Sequence, residues 1–426
     1  MESFVIEGGH PLKGDIDVYG SKNATTPIIA ATLLSKEKSV ISNIPLIEDV
    51  LNMLKIIESM GVKVRFISER KVEIDPLNLD LKKVDKKLIK KLRSSVLLVG
   101  GVSHKASKFN LVQPGGCLIG VRSISTHLLA LKELGVKIRA TKEGYSIDYS
   151  KMHSAEICLE EFSVTATENI LMIASLIKGK TILKTAAIEP HVIDLVDFLN
   201  KMGAKIKIKP GHVFEIEGVS SLKGANHKVI PDPIEAGTFI VMAAVCRGRV
   251  VVHNVRLDHL DLVLKKLESF GVKMEYVLEN KKEKLYSVDV LSCSKLKANK
   301  IQTLPYPGIP TDLQSMFGVL ATQCEGTSLI FDPMYESRLK YLDELNRMGA
   351  NSIIAGPHRA LITGVTPLYG REITSFDLRT GACLIIASLL AKGTSKITNA
   401  YQVDRGYEKI ELRLNKINAN IKRINE

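Results

Sequence analysis

Six times along the chain, apolar residues recurring every three or four positions end at a Gly or Asn and give way to a short β-branched run. The phrase runs from Met53-Leu54 to Gly61-Val62-Lys63-Val64, from Leu129 to Gly135-Val136-Lys137-Ile138, and from Phe198-Leu199 to Gly203-Ala204-Lys205-Ile206. It returns from Leu264 to Gly271-Val272-Lys273-Met274, from Leu342 to Gly349-Ala350-Asn351, and from Leu414 to Asn418-Ala419-Asn420-Ile421. Each copy predicts an amphipathic helix, a left-handed stop and a strand, because Gly adopts that conformation freely and Asn is its usual substitute. The stops lie 74, 68, 68, 78 and 69 residues apart, the mark of a six-fold internal repeat.

A second pattern keeps step with the first: a strongly apolar helix, a polar turn, then a strand that ends in Asn or a similar stop. Residues 26–34 lead to 40–43, 170–177 to 181–183, and 239–245 to 250–254. Residues 316–321 lead to 328–330 and 383–390 to 396–399, with 96–102 as a degenerate member. Helices that are apolar on nearly every face are buried on every face. The expected fold class is therefore α/β, a two-lobed inside-out barrel with buried helices, outer sheets and three repeats of about 70 residues per lobe. Pro231 and Pro233 punctuate the chain between copies three and four, which puts the lobe boundary near residues 227–232.

Length agrees, since 426 residues are too many for one core. With 45% apolar and 25% charged residues the chain has the profile of a soluble globular protein. No apolar run approaches about twenty residues and no charged-then-apolar leader opens the chain, so a cytoplasmic location is expected. The six cysteines (117, 158, 246, 293, 324 and 383) are scattered and never form Cys-x-x-Cys, which suits a reducing compartment. The histidines show no tight ligand spacing, so no metal and no cofactor are expected. The net charge of +13 is compatible with anionic small molecules, a membrane surface or nucleic acid. The lysine pairs at 82–83, 86–87 and 90–91, and the run at 281–284, read as solvated faces. No aromatic residue is interleaved with them as a stacking platform needs, which makes nucleic acid a second choice.

The polar residues just ahead of each buried helix carry the chemistry. They are Ser21-Lys22-Asn23, Arg93-Ser94-Ser95, Thr165-Ala166-Thr167, Glu235-Ala236-Gly237-Thr238, Thr311-Asp312 and Asp377-Leu378-Arg379. A helix start offers free N–H groups and a partial positive charge, so it favours anions and Ser, Thr or Asp caps. Capping accounts for Ser95, Thr167 and Thr238. It does not account for Lys22, Arg93 or Arg379, which the dipole disfavours unless an anion lies between. Arg338, after Tyr335-Glu336-Ser337, and Arg405, in Val403-Asp404-Arg405-Gly406-Tyr407, add two more cations. Arg122 follows a Pro114-Gly115-Gly116 bend that presents Cys117, and a nearby cation lowers a thiol pKa. So much positive charge fits a compact substrate with both phosphate and carboxylate, since arginine forks match both. Asp312 and Asp377 are then the candidate bases.

These residues, taken together, resemble the UDP-N-acetylglucosamine 1-carboxyvinyltransferases, a family of enolpyruvyl transferases. The likeness rests on Gly20-Ser21-Lys22-Asn23-Ala24, Pro114-Gly115-Gly116-Cys117, Ser163-Val164 with Ala166-Thr167-Glu168-Asn169, and Ile234-Glu235-Ala236-Gly237-Thr238-Phe239. It continues through Pro310-Thr311-Asp312-Leu313-Gln314, Asp377-Leu378-Arg379 and Asp404-Arg405-Gly406-Tyr407-Glu408. The resemblance implies one lobe at 22–231 and a second formed by 1–21 and 232–426, with a cleft that closes on the nucleotide sugar. It implies transfer of the enolpyruvyl group of phosphoenolpyruvate to the 3′-hydroxyl of UDP-N-acetylglucosamine with release of phosphate, the first committed step of peptidoglycan synthesis.

Carried onto these positions, Lys22 would hold phosphoenolpyruvate and Asn23 would help place the sugar hydroxyl. Cys117 would be the general acid, on a lid, and the residue alkylated by fosfomycin. Arg122 and Arg405 would neutralise phosphate, Arg338 and Arg379 would grip the carboxylate, and Asp312 would take the hydroxyl proton. Arg93 would sit near the closing surface, and Ser123, Ile124, Ser125, Thr126, Ser163, Val164, Thr165, Met334 and Asp377 would be further substrate-binding residues. The chain departs from the family's Pro-x-Asp after Arg122 (here Ser123-Ile124-Ser125) and from its Gly after Ser-Val (here Thr165). Both places border the uridine pocket, so a paralogue using another acceptor hydroxyl, or a silent nucleotide-sugar-binding one, stays open. The related 5-enolpyruvylshikimate-3-phosphate synthases have Ser after Ser-Lys and no cysteine lid.

Overall fold

The computed structural model describes residues 2–115, 123–292 and 295–425. Cys117 and Arg122 lie outside the described residues. The six predicted stops all have positive φ: 79° to 108° at Gly61, Gly135, Gly203, Gly271 and Gly349, and 68° at Asn418. They close the helices Glu48–Ser59, Ser125–Glu133, Pro190–Lys201, Asp261–Ser269, Tyr341–Arg347 and Ile410–Asn415. An L side chain held there costs on the order of 1 kcal/mol, which explains why five of the six are Gly. The strand-end stops Asn43, Asn254 and Asn399 share this conformation, and Thr185 takes the same place in the third repeat.

The apolar stretches form Lys22–Thr32, Val164–Ala174, Pro233–Val245, Thr311–Thr322 and Leu378–Leu390, buried almost throughout beyond their first turns. The degenerate member is a 3-10 segment, Arg93–Leu97, running into Leu98–Gly101. It packs closely against the first buried helix. A Cβ on Gly101 would stand 2.4 Å from the Ala30 carbonyl oxygen, so the two backbones touch directly.

Ser95, Thr167 and Thr238 do not cap their helices, contrary to the sequence reading. The Ser95 hydroxyl donates to Leu92 O at 2.6 Å, Thr167 to Ser163 O at 2.9 Å and Thr238 to Ile234 O at 2.8 Å. Buried hydroxyls with no water to reach turn back to the preceding carbonyls. The side chains that do cap are those of Ser21, Asp232 and Asp377.

The described residues fall into two compact units, 2–19 with 231–425 and 20–115 with 123–230. In the 20–230 unit, one sheet has the order 226–228, 39–42, 71–75, 63–68; another 205–209, 213–217, 180–184, 156–158; the third 108–112, 144–148, 137–141. In the other unit the orders are 274–280, 285–290, 249–255, 13–17; then 301–302, 326–331, 359–364, 351–354; then 372–374, 394–398, 2–7, 420–425. Each four-stranded sheet pairs a short strand in parallel with the strand that follows the buried helix, and a hairpin or its equivalent completes it antiparallel. The last sheet lacks its own final strand. Glu2–Glu7 fills that place, antiparallel to both Thr394–Thr398 and Asn420–Asn425, so the start of the chain completes the sixth repeat. Alternation of buried and exposed residues, as in Lys71–Asp75, turns one face of each sheet onto the helices.

Candidate functional site

The unit containing residues 231–425 gathers its polar residues at the starts of two buried helices. Asp312 stands in the first turn of Thr311–Thr322, and Arg379 in the first turn of Leu378–Leu390. Arg379 Nη2 lies 2.9 Å from Asp312 Oδ2, and Arg338 Nη2 pairs with Asp312 Oδ1. The arginine side chains are 4% and 6% exposed and Asp312 is 30% exposed, so the carboxylate is on the solvent side of both. Burial opposes the charge of Arg338, but Asp312, Asp377 and Asp332 outweigh it and raise its pKa. The same contest at Arg379, led by Asp312, also ends with a raised pKa. Both guanidiniums stay charged.

Supporting groups fix these cations. Arg338 Nε donates to Thr311 O at 3.3 Å, while the Thr311 hydroxyl donates to Asp332 Oδ2 at 2.7 Å. Asp332 is fully buried and its other oxygen accepts from Met334 N at 2.9 Å, which sets the turn before Arg338. Arg379 Nη1 donates to the buried Tyr407 hydroxyl at 3.1 Å, and Arg379 Nε has no hydrogen-bond partner among the described residues. Asp377 caps Leu378–Leu390 through Arg379 N and Thr380 N and accepts from the Thr380 hydroxyl, so three of its hydrogen bonds come from its own helix. It is the N-terminal cap of that helix. Arg405 donates to Gln402 Oε1 at 3.2 Å in a turn that Asp404 ties to Arg423. Glu235 is structural, paired with the buried Arg413 and accepting from Tyr19 N.

The other unit presents Lys22 and Asn23 at the start of Lys22–Thr32, with Lys22 Nζ 2.7 Å from Asp49 Oδ2. Asp49 is 6% exposed and Lys22 17%, so here the carboxylate backs the cation. Arg93 donates to the backbone carbonyl of Ser123 at 3.1 Å, and Ser123 Oγ accepts from Ser125 N. Thr126 donates to Glu161 Oε1 at 2.8 Å. Thr165 Oγ1 is 2.8 Å from His127 Nε2, within the first turn that follows Ser163 and Val164. Ile124 is buried below them. Burial, with Arg93 adding to it, pushes the His127 pKa down to about 3, so the imidazole is neutral.

One group therefore forms in the first unit, Asp312 with Arg338 and Arg379 and with Asp377 acting on Arg338, while the other unit holds separate pairs, Arg93 with Ser123, Thr126 with Glu161, Thr165 with His127 and Lys22 with Asp49. The helix-start cations have carboxylates or carbonyls of the chain itself as partners, where the sequence reading supplied a ligand anion. Sequence reasoning passes over Asp49, His127, Asp332 and Tyr407. The one available signal is a polar residue at a position whose spacing is buried, as with His127 on the inner face of Ser125–Glu133. Among the described residues no group of His, Cys, Asp and Glu is arranged to hold a metal ion, and no helix is long and apolar enough to cross a membrane.

The model of the EPSP synthase (3-phosphoshikimate 1-carboxyvinyltransferase) family matches residues 6–414. A UDP-N-acetylglucosamine 1-carboxyvinyltransferase of Halothermothrix orenii is 44% identical over 100% of both chains. The chain belongs to this family of carboxyvinyltransferases. A Finegoldia magna member, also a UDP-N-acetylglucosamine 1-carboxyvinyltransferase, is 40% identical over 100% of this chain and 99% of its own. Among solved structures, the enolpyruvyl transferase NikO from Streptomyces tendae superposes with a TM-score of 0.88 at 21% identity, covering 99% of each chain. EPSP synthase from Acinetobacter baumannii gives 0.77 at 20% identity over 100% of both. At those identities the likeness is one of fold, and it shows the inside-out α/β architecture that this carboxyvinyltransferase family member shares.

Proposed function

We propose that this family member transfers the enolpyruvyl group of phosphoenolpyruvate to the 3′-hydroxyl of UDP-N-acetylglucosamine and releases phosphate, in the cytoplasm, opening peptidoglycan synthesis. The observation that carries the reading is the carboxylate of Asp312 in a helix first turn between two buried, permanently charged arginines. An ionised carboxylate there accepts the hydroxyl proton as the sugar oxygen bonds to C2 of phosphoenolpyruvate. C3 receives a proton from the Cys117 thiol, and the tetrahedral product of addition carries phosphate and carboxylate on C2. Loss of phosphate, with a proton from C3, restores the double bond. Lys22, Arg122 and Arg405 neutralise the phosphate, Arg338 and Arg379 bind the carboxylate, and Asn23 places the hydroxyl. Charge develops at C2 during addition, so fixed ionised groups lower the barrier more than water does.

A second reading, the same transfer to another acceptor hydroxyl, is favoured by Ser123-Ile124-Ser125 and Thr165, which depart from the family pattern, with Thr165 bonded to His127. Phosphate release from phosphoenolpyruvate, measured across nucleotide sugars, decides between them. UDP-N-acetylglucosamine as the best acceptor by kcat/KM supports the first reading, and no release with it ends that reading.

A further inference from the structure

Two facts about the Asp312 cluster stand in tension. Arg338 and Arg379 are the groups assigned to the donor's carboxylate, yet both are already hydrogen-bonded to a carboxylate of the protein. Asp312 is also the most exposed member, and the guanidiniums lie beneath it. An anion arriving from solvent meets like charge first and reaches those N–H groups only as Asp312 gives way. We infer that Asp312 is an internal stand-in for the donor carboxylate: the donor displaces it from Arg338 and Arg379, and displacement frees its oxygens to accept the acceptor's hydroxyl proton.

This inference rests on the transferase reading and adds a coupling to it. While two guanidinium N–H groups occupy Asp312, its lone pairs are aimed at the protein and its basicity is spent on ion pairing. When the donor carboxylate takes over those bonds, the arginines keep a counter-ion and the buried charge stays balanced. Arg379 is ready for the exchange, since its Nε has no hydrogen-bond partner among the described residues and its Nη1 is pinned by Tyr407. The remaining charged and titratable groups facing the cluster keep their roles. Asp332 holds Thr311 and Met334, Asp377 caps its helix, Asp232 caps Pro233–Val245, and Tyr407 stays with Thr238. The protein thereby withholds its base until the donor is in place.

The test uses two inert probes on the full-length protein: 2-phospholactate, which carries phosphate and carboxylate but no double bond, and isopropyl phosphate, which lacks the carboxylate. Calorimetric titration compares the wild type with Asp312→Asn and Asp312→Ser, each checked for folding by circular dichroism. Removing the competing charge is expected to tighten 2-phospholactate about tenfold in both variants, as expected when a blocked state is removed, and to leave isopropyl phosphate unchanged. Equal or weaker binding of 2-phospholactate in the variants overturns the inference. Failure is separable from failure of the transferase reading: turnover by the wild type without tighter binding in the variants sinks the stand-in alone. Tighter binding without any turnover by the wild type sinks the transferase reading alone.

Discussion

Tyr407 joins Arg379 to a third helix. Its hydroxyl accepts from Arg379 Nη1 at 3.1 Å and lies 2.8 Å from Thr238 Oγ1, whose own proton goes to Ile234 O, which leaves the Tyr407 proton for Thr238. Tyr407→Phe leaves a buried guanidinium N–H and a buried hydroxyl short of a partner, a loss of about 1–3 kcal/mol. We expect a lower thermal midpoint and a several-fold higher KM for phosphoenolpyruvate, with a smaller change in KM for the acceptor. A variant that melts lower but keeps both KM values would leave Tyr407 a purely structural role.

Asp49 backs Lys22, whereas Asp312 covers its arginines. Asp49→Asn should therefore loosen Lys22 and not uncover it. KM for phosphoenolpyruvate is expected to rise about tenfold, equivalent to about 1.4 kcal/mol. A fall in KM would show that Asp49 competes with the donor.

Asp312→Asn keeps size and polarity and removes the proposed base. Turnover should be nearly abolished while circular dichroism and melting show a folded protein. Wild-type rates in this variant would remove the assignment.

Fosfomycin should label one cysteine. Cys246, Cys324 and Cys383 are buried and burial raises their thiol pKa values, the first two to about 12, so they remain unreactive thiols. Peptide mass spectrometry is expected to find the adduct on Cys117, with Cys117→Ala unlabelled and much less active. An adduct on Cys158, which is exposed, would break the assignment.

Glu168 is fully buried and its pKa is raised by desolvation and then by Glu189. Folded protein therefore holds its proton above the unfolded value of 4.5, and stability falls as pH rises from there towards the folded pKa. Glu168→Gln removes that dependence, so its melting-point advantage over wild type should grow from pH 5 to pH 8. His127 acts in the opposite sense. Its depressed pKa makes stability fall as pH drops from 6.5 to about 3, and His127→Gln should lose less over that window. A constant difference across pH for either variant would contradict the corresponding burial argument.

Which parts were readable follows from what each depends on. The repeat is written in local terms: a helix that must end needs a left-handed residue, and each of Gly61, Gly135, Gly203, Gly271, Gly349 and Asn418 holds that conformation. Lys22, Arg93 and Arg379 were likewise visible as cations where a helix dipole disfavours them. Their partners were not. Asp312 meets Arg338 from 26 residues away and Arg379 from 67, and no periodicity along the chain encodes which helix start faces which turn. The capping readings of Ser95, Thr167 and Thr238 erred for the same reason, since a hydroxyl caps or bonds backward according to what buries it.

Sequence alone determined the repeat, the buried helices and the residue types at their starts, because each is dictated within one turn or one strand by backbone preference and polarity. Tertiary structure decided that residues 2–7 complete the last sheet, that Asp49 stands behind Lys22 and that Asp312 lies over two buried arginines. Those relations depend on how sheets close and helices pack, and only the folded chain brings charges from distant segments within a few ångströms.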